Sequence, residues 1–131
     1  MEKGSSTVEM QFYRCETCGQ MVAIVKKTGV PLVCCGKPMQ ELVPGVSDGA
    51  AEKHVPVYEV QGNCVCVRVG EAAHPMTEQH SIEWIALKTK YGNQRKLLCP
   101  GDVPEACFAI REGDAVEAVY AYCNLHGLWK A

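Results

Sequence analysis

Residues 115–131 read AVEAVYAYCNLHGLWKA. Valine, tyrosine and alanine run together from Ala118 to Tyr122, the composition of a buried strand, and the run breaks at Asn124 with Gly127 close behind. The strand therefore ends in a turn, and the turn carries Cys123 and His126, three residues apart. Both side chains can reach one metal from such a turn, but two ligands hold nothing firmly. The rest of the chain has to supply what packs the strand and what completes the site.

Working outward, five further runs have strand character: VPVYEV (55–60), NCVCVRVG (63–70), SIEWIALKT (81–89), QRKLLC (94–99) and ACFAI (106–110). Turn residues punctuate them at Gly62-Asn63, Gly92-Asn93, Pro100-Gly101-Asp102 and Gly113-Asp114. No segment sustains a helical period. Short runs at this spacing predict an all-β chain whose second unit, residues 45–131, is an antiparallel β-sandwich.

Residues 8–44 have a different character, with Cys15, Cys18, Cys34 and Cys35 and few large apolar groups. So small a unit cannot bury an ordinary core and needs a staple. The C-x2-C pair and the adjacent pair place four soft ligands within tetrahedral reach of zinc or a single iron, and spacing alone leaves the choice between them open. Adjacent cysteines on a regular strand point to opposite faces, so the backbone must turn at Cys34-Cys35, and Gly36 permits it. Residues 1–7 are expected to be a disordered tail; the opening MEKGSSTVEM has no apolar stretch of a secretory signal.

Composition narrows the function further. The 131 residues are 47% hydrophobic and 21% charged, and no stretch approaches the ~20 apolar residues that span a bilayer. Net charge is −2 and basic residues never run beyond a pair, which argues against nucleic acid. Nine cysteines, an odd and clustered set, point to thiolates kept reduced and used on metals.

All four histidines, His54, His74, His80 and His126, fall in the second unit. His54 opens a strand, His74 and His80 bracket a loop, and His126 shares its turn with Cys123. All could meet at one end of a sandwich. Four imidazoles and a thiolate exceed the four ligands zinc prefers, but suit iron(II) with a sixth position open for a small substrate.

At this point the stretches YRCETCGQ, LVCCGKPM, EKHVPV, HPMTEQHSIEWI and AYCNLHGLWK resemble, in order and over nearly the whole chain, the desulfoferrodoxin type of superoxide reductase. The resemblance implies a desulforedoxin-like metal-knuckle domain followed by an immunoglobulin-like antiparallel β-sandwich. It implies two mononuclear non-haem irons, one on Cys15, Cys18, Cys34 and Cys35, the other on His54, His74, His80 and His126 with Cys123 axial. The implied activity is one-electron reduction of superoxide to hydrogen peroxide without oxygen evolution, in the cytoplasm of an anaerobe, by a homodimer supplied by rubredoxin or a similar donor. Glu52 and Lys53 match the family's Glu-Lys pair: the lysine near the open position, the glutamate able to ligate the oxidised iron after product leaves. Without His54 alongside, they would read as a solvated pair on a loop.

The competing readings are a non-catalytic rubredoxin-like electron carrier or zinc-stabilised module, and a superoxide dismutase, which would consume no external electron. Cys64, Cys66, Cys99 and Cys107 are additions to the pattern and receive no role; Cys64 and Cys66, at strand spacing, are expected to be buried or edge thiols.

Overall fold

In a computed structural model of the chain, the structure describes residues 9–45, 54–70 and 74–131. The chain forms two compact units, Val8–Val43 and Pro44–Ala131.

The small unit has five short strands: β1 (Phe12–Arg14), β2 (Met21–Ala23), β3 (Val33–Cys34), β4 (Lys37–Pro38) and β5 (Gln40–Glu41). β1 is the middle strand between β2 and β5, and β3 pairs with β4 in a separate hairpin. Phe12 and Cys15 are buried here, while Val25, Val30, Val33 and Val43 lie exposed. Burying one phenylalanine contributes only about 1.5–3 kcal/mol, too little to order this many residues. The missing stabilisation has to come from what the cysteines hold.

The turn expected at the adjacent cysteines is present. Cys34 pairs with Lys37, so Cys35 and Gly36 are the two loop residues of the β3–β4 hairpin, with φ of 53° and 76°. Two consecutive positive φ values match the right-handed twist of the flanking strands. Cys35 is the one non-glycine with positive φ among the described residues, and the turn frees its side chain from the strand alternation.

Among its described residues the larger unit has seven strands in two antiparallel sheets, the four-plus-three count of an immunoglobulin-like sandwich. One sheet orders β10 (Glu105–Ala109), β7 (Cys64–Val69) and β6 (Pro56–Gln61). The other orders β12 (Gly127–Lys130), β11 (Val116–Cys123), β8 (Ile82–Thr89) and β9 (Gly92–Leu97). Val65, Val67 and Val69 of β7 and Ala106 and Phe108 of β10 face Ile82, Ile85, Leu87, Val119 and Ala121 across the core. The central strands β8 and β11 are buried along almost their whole length, which is why they read as continuous apolar runs. β9 is exposed throughout and carries Arg95 and Lys96, charges that discourage pairing at that open edge.

The structure differs from the sequence reading at four places. Gly92-Asn93 does not form a turn: Thr89 pairs with Gly92, so Lys90 and Tyr91 make the bend and Gly92 begins β9. β11 is not the last strand, because β12 folds back on it after the Cys123–His126 turn. Cys64 and Cys66 are neither buried nor at an edge; they project outward from the middle strand of their sheet, because strand alternation gives Val65, Val67 and Val69 to the core. Finally, Cys66 and Cys107 face each other across β7 and β10 and are joined in a disulfide, so these two are not free thiolates for a metal.

The Cys35-Gly36 turn yields a test. Gly36 has open space where a β-carbon would stand, so Gly36→Ala isolates the backbone cost of left-handed φ, about 1–2 kcal/mol. Alkylation of Cys15, the buried thiol of the four, should accelerate roughly five- to thirty-fold as the small unit opens more often; an unchanged rate would mean the hairpin geometry is not what closes it.

Candidate metal centres

In the small unit, the ligand atoms of Cys15, Cys18, Cys34 and Cys35 lie within 4.8 Å of one another. Cys18 Sγ is 3.6 Å from Cys34 Sγ, and two sulfurs sharing one tetrahedral ion with bonds of about 2.3 Å stand roughly 3.8 Å apart. The Cys18 amide, 3.5 Å from the Cys15 sulfur, leads the effects that hold the Cys15 thiol down to about 6. Hydrogen bonding to Cys18, followed by Cys15, pushes Cys34 up to about 12, and the same neighbours raise Cys35. Four thiolates this close cannot all be ionised together unless a cation offsets their charge. The donor set therefore fits a thiophilic ion.

The second cluster is assembled from four places in the larger unit. His54 precedes β6, His74 and His80 lie between β7 and β8, Cys123 is the last residue of β11, and His126 sits in the β11–β12 turn. The imidazoles form a closed ring. Centroid distances are 4.6 Å for His54–His74, 4.7 Å for His74–His80, 5.1 Å for His80–His126 and 4.8 Å for His54–His126. Each neighbouring pair is nearly perpendicular, while the diagonal pair His54–His80 is 6.4 Å apart and closer to parallel. Four rings at the corners of a square, edges turned to one another, leave their nitrogens facing a common centre.

Cys123 is fully buried, and its sulfur falls within 4.8 Å of the ligand atoms of His54, His74 and His80. His126 lies outside that tightest group but joins it through Nδ1, 3.8 Å from Cys123 Sγ and 3.1 Å from His54 Nε2. Either a proton between those two nitrogens or a cation shared by the ring would hold so close a contact.

The electrostatics favour a metal. His74 Nδ1 is 2.7 Å from the Pro75 carbonyl oxygen, so the proton belongs on Nδ1 and Nε2 keeps its lone pair; Nε2 is buried with no hydrogen-bond partner among the described residues. Burial pushes the His74 pKa down to about 4 from the ordinary 6.5, which keeps the ring neutral near pH 7. Burial also pushes the Cys123 thiol up, against amides of Leu125 and His126 that favour the thiolate. A buried thiolate beside the neutral His74 needs a cation, and the donors fit one that accepts both nitrogen and sulfur.

Both folding units match the desulfoferrodoxin pattern: the desulfoferrodoxin family covers residues 46–131 and the desulfoferrodoxin N-terminal domain residues 7–42. The chain is 49% identical over 123 residues to a desulfoferrodoxin of Nitratidesulfovibrio vulgaris, covering 94% of this chain and 96% of the relative. The chain belongs to the desulfoferrodoxin family. It is also 49% identical over 125 residues to a desulfoferrodoxin homologue of Archaeoglobus fulgidus, across 95% of this chain and 98% of that one. The crystal structure of the superoxide reductase from Treponema pallidum superposes with a TM-score of 0.81 at 36% identity, covering 94% of this chain and 97% of the other, which bears out the all-β reading. The desulfoferrodoxins are thus the superoxide reductase relatives of this chain, and the chain is an enzyme of that family.

The structure brings Cys15, Cys18, Cys34 and Cys35 together in one cluster and His54, His74, His80 and Cys123 in the other, with His126 beside it. Glu52 and Lys53 lie outside the described residues. The sequence reading missed the residues that hold the second cluster together. Asn124 accepts from the Ser81 amide (3.0 Å) and donates to the Gln79 carbonyl (3.0 Å), while its own amide donates to the Ser81 carbonyl (3.2 Å). It locks the loop bearing His80 onto the turn bearing Cys123 and His126. Trp129 stacks on His54 at 5.1 Å and donates its indole N–H to the His126 carbonyl (3.1 Å). A register slip between Tyr122↔Trp84 and Cys123↔Ile82 leaves Glu83 unpaired with β11, a bulge that re-aims the strand ends beside the cluster. An asparagine in a turn and a tryptophan in a strand are both ordinary in sequence, so neither signals this role.

Removing the clamp should loosen the site without unfolding the sandwich. Asn124→Ala is expected to weaken metal retention roughly 10- to 100-fold, the usual effect of losing a partner that orients ligands. Chelator competition followed by metal analysis measures this; retention equal to wild type would mean the His80 loop is held by other contacts.

Proposed function

We propose that the chain reduces superoxide to hydrogen peroxide at a mononuclear non-haem iron held by His54, His74, His80 and His126, with Cys123 axial, and that Cys15, Cys18, Cys34 and Cys35 hold a second iron. The observation that carries this reading is the square of four imidazoles beside one fully buried thiol. Such a set would offer five donors to an ion that accepts six, with room for a small molecule as the remaining one. Iron held there would supply one-electron redox chemistry, with Cys123 as its sulfur donor.

The protein's part is to hold the donors and to choose the side of approach. Cys123 lies at the buried end, His54 and His74 are buried, and His80 and His126 are half-buried, so solvent reaches the cluster from the His80–His126 side. The Pro75 carbonyl and Trp129 fix the tautomer and tilt of His74 and His54, so the rings need not reorganise when charge develops. In this proposal Lys53 supplies the cation that draws an anionic substrate to a chain of net charge −2, and Glu52 offers a carboxylate to the oxidised resting site.

The same reading assigns division of labour: residues 8–44 hold the first iron and residues 45–131 carry the reaction. It also assigns a rubredoxin-type donor, a cytoplasmic setting and a homodimer. The exposed Val25, Val30 and Val33 support a second copy as the cover of the small unit. Among the described residues no helix is long and apolar enough to cross a membrane.

Stoichiometry tests the reaction. About one external electron should be consumed per superoxide with no oxygen released; dismutation, with none consumed, would overturn the assignment. Cys123→Ser should keep the fold and lose the thiolate-to-iron absorption band and most activity, because a neutral hydroxyl is a poor donor.

Salt dependence tests Lys53. The Debye length falls from ~10 Å at 0.1 M to ~3 Å at 1 M, so the bimolecular rate should fall with salt in wild type. Lys53→Ala should be slower at low salt, flatter with salt, and retain both irons. Stopped flow across a salt series that finds equal rates and slopes returns the residue to a solvated loop.

A further inference from the structure

The larger unit carries a third group of sulfurs that neither proposed iron uses. On β7, Cys64, Cys66 and Arg68 point outward while the valines between them fill the core. Cys107 stands opposite Cys66 on β10, and Glu59 stands opposite it on β6. The sulfurs of Cys64, Cys66 and Cys107 lie within 4.8 Å of one another; Cys66 and Cys107 are bonded, and Cys64 Sγ is 3.6 Å from Cys66 Sγ. All three residues are solvent-facing.

Antiparallel register explains the arrangement. Directly opposed side chains on one face are the closest non-local neighbours a sheet offers, so Cys66 and Cys107 meet without any loop having to close. Cys64 has Ala109 and Gln61 opposite it instead, and shares its strand face with Cys66 two residues on. Residues two apart on a strand have α-carbons roughly 6.6 Å apart, at the long end of the range of about 4.4–6.8 Å that a disulfide spans, and their β-carbons must close to about 4 Å, so a Cys64–Cys66 bond requires β7 to pucker locally. Cys66 therefore has two possible partners, one across the sheet and one along the strand.

We propose that Cys64, Cys66 and Cys107 form a peroxide-responsive thiol–disulfide site on the outer face of the β10-β7-β6 sheet, with Cys66 at its centre. Starting from thiols, the Cys66 thiolate attacks one oxygen of hydrogen peroxide; an S–O bond forms, the O–O bond breaks, and hydroxide leaves to be protonated to water. The Cys107 thiolate then attacks the Cys66 sulfur; the S–S bond forms, the S–O bond breaks, and the second hydroxide leaves as water. The two sulfurs lose two electrons and the peroxide gains them. Cys64 gives the disulfide a second fate. When local puckering of β7 brings the two β-carbons together, the Cys64 thiolate attacks the Cys66 sulfur, the Cys64–Cys66 bond forms, and Cys107 departs as a thiolate that takes up a proton. An external dithiol returns either disulfide to thiols.

A metal held by the same three sulfurs is the competing occupant. It would need each pair of sulfurs roughly 3.8 Å apart, as thiolates on one ion are, whereas Cys66 and Cys107 are directly bonded. The oxidant is also the product of the proposed reductase reaction, but the site needs only peroxide from any source. The experiment therefore adds peroxide directly, and its result is independent of whether the chain reduces superoxide.

The metal-loaded protein is first reduced with dithiothreitol, freed of it, treated with hydrogen peroxide, and quenched with an alkylating reagent under denaturing conditions. Peptide mass spectrometry then maps each cysteine. The expected result is a Cys66–Cys107 link that forms with peroxide and returns to thiols with dithiothreitol over repeated cycles. With longer incubation a second population should carry a Cys64–Cys66 link and alkylated Cys107. Cys64→Ser should show only the cross-strand link, and Cys66→Ser neither of the two. The three side chains are exposed, so these variants should fold, and the absorption spectrum of the metal centres checks that they do. The proposal is overturned if all three thiols remain alkylatable after peroxide, if oxidation runs to sulfinic acid without a link, or if metal analysis finds a third ion released by the peroxide. A link pattern in Cys64→Ser identical to wild type would remove Cys64 from the site.

Discussion

Cys123 is a thiol with no solvent exposure, placed at the end of the longest buried strand pair in the molecule. Burial disfavours its ionised form, and a neutral thiol is a poor metal donor. The arrangement makes sense only if a cation beside it favours the thiolate, and four imidazoles converge there as donors that could hold one. Much of the larger unit follows from delivering those rings. β11 must run buried along β8 to bring Cys123 beneath them, the bulge at Glu83 must shift the register, and the β11–β12 turn must close tightly enough to bring His126 back over the sulfur. The turn in turn depends on Asn124 and Trp129, whose polar groups are spent on the backbone of the ligand-bearing loops.

The small unit answers a different problem with related chemistry. With Phe12 and Cys15 as its buried residues, it has no core of the usual kind, and its four sulfurs occupy the place where one would be. Ion binding there is folding energy as much as it is chemistry. In the larger unit the balance is reversed: valines, isoleucines and leucines of two facing sheets form the core without help, and the metal-ligating cluster sits at the end of strands that would pack anyway. In the proposed function the small unit would draw folding energy from its ion, while the larger one positions its ligands on a scaffold packed by its own core.

The outer face of the β10-β7-β6 sheet shows how strand alternation separates these roles. The same pleat that sends Val65, Val67 and Val69 inward sends Cys64 and Cys66 outward. Sulfur chemistry at the surface therefore adds nothing to the core and takes nothing from it. It can change oxidation state while the valines behind it stay packed.

By itself the sequence determined the strand runs, the four-cysteine knuckle, the turn required at Cys34-Cys35 and the candidate ligands, because each is written in local chemistry: alternation, spacing, or a rare residue type gathered in one unit. The motifs that resemble desulfoferrodoxins carried the larger site, since nothing local says that His54, His74, His80 and Cys123 share a centre. Only tertiary structure decided what depends on register between distant strands. It placed the bend at Lys90-Tyr91 rather than Gly92, folded β12 back on β11, joined Cys66 to Cys107 across 41 residues, and set Asn124 and Trp129 against the ligand loops. A single chain position states what a residue can bond; which partner it meets is fixed by the pairing of strands far apart in sequence, and that pairing follows from packing of the whole core.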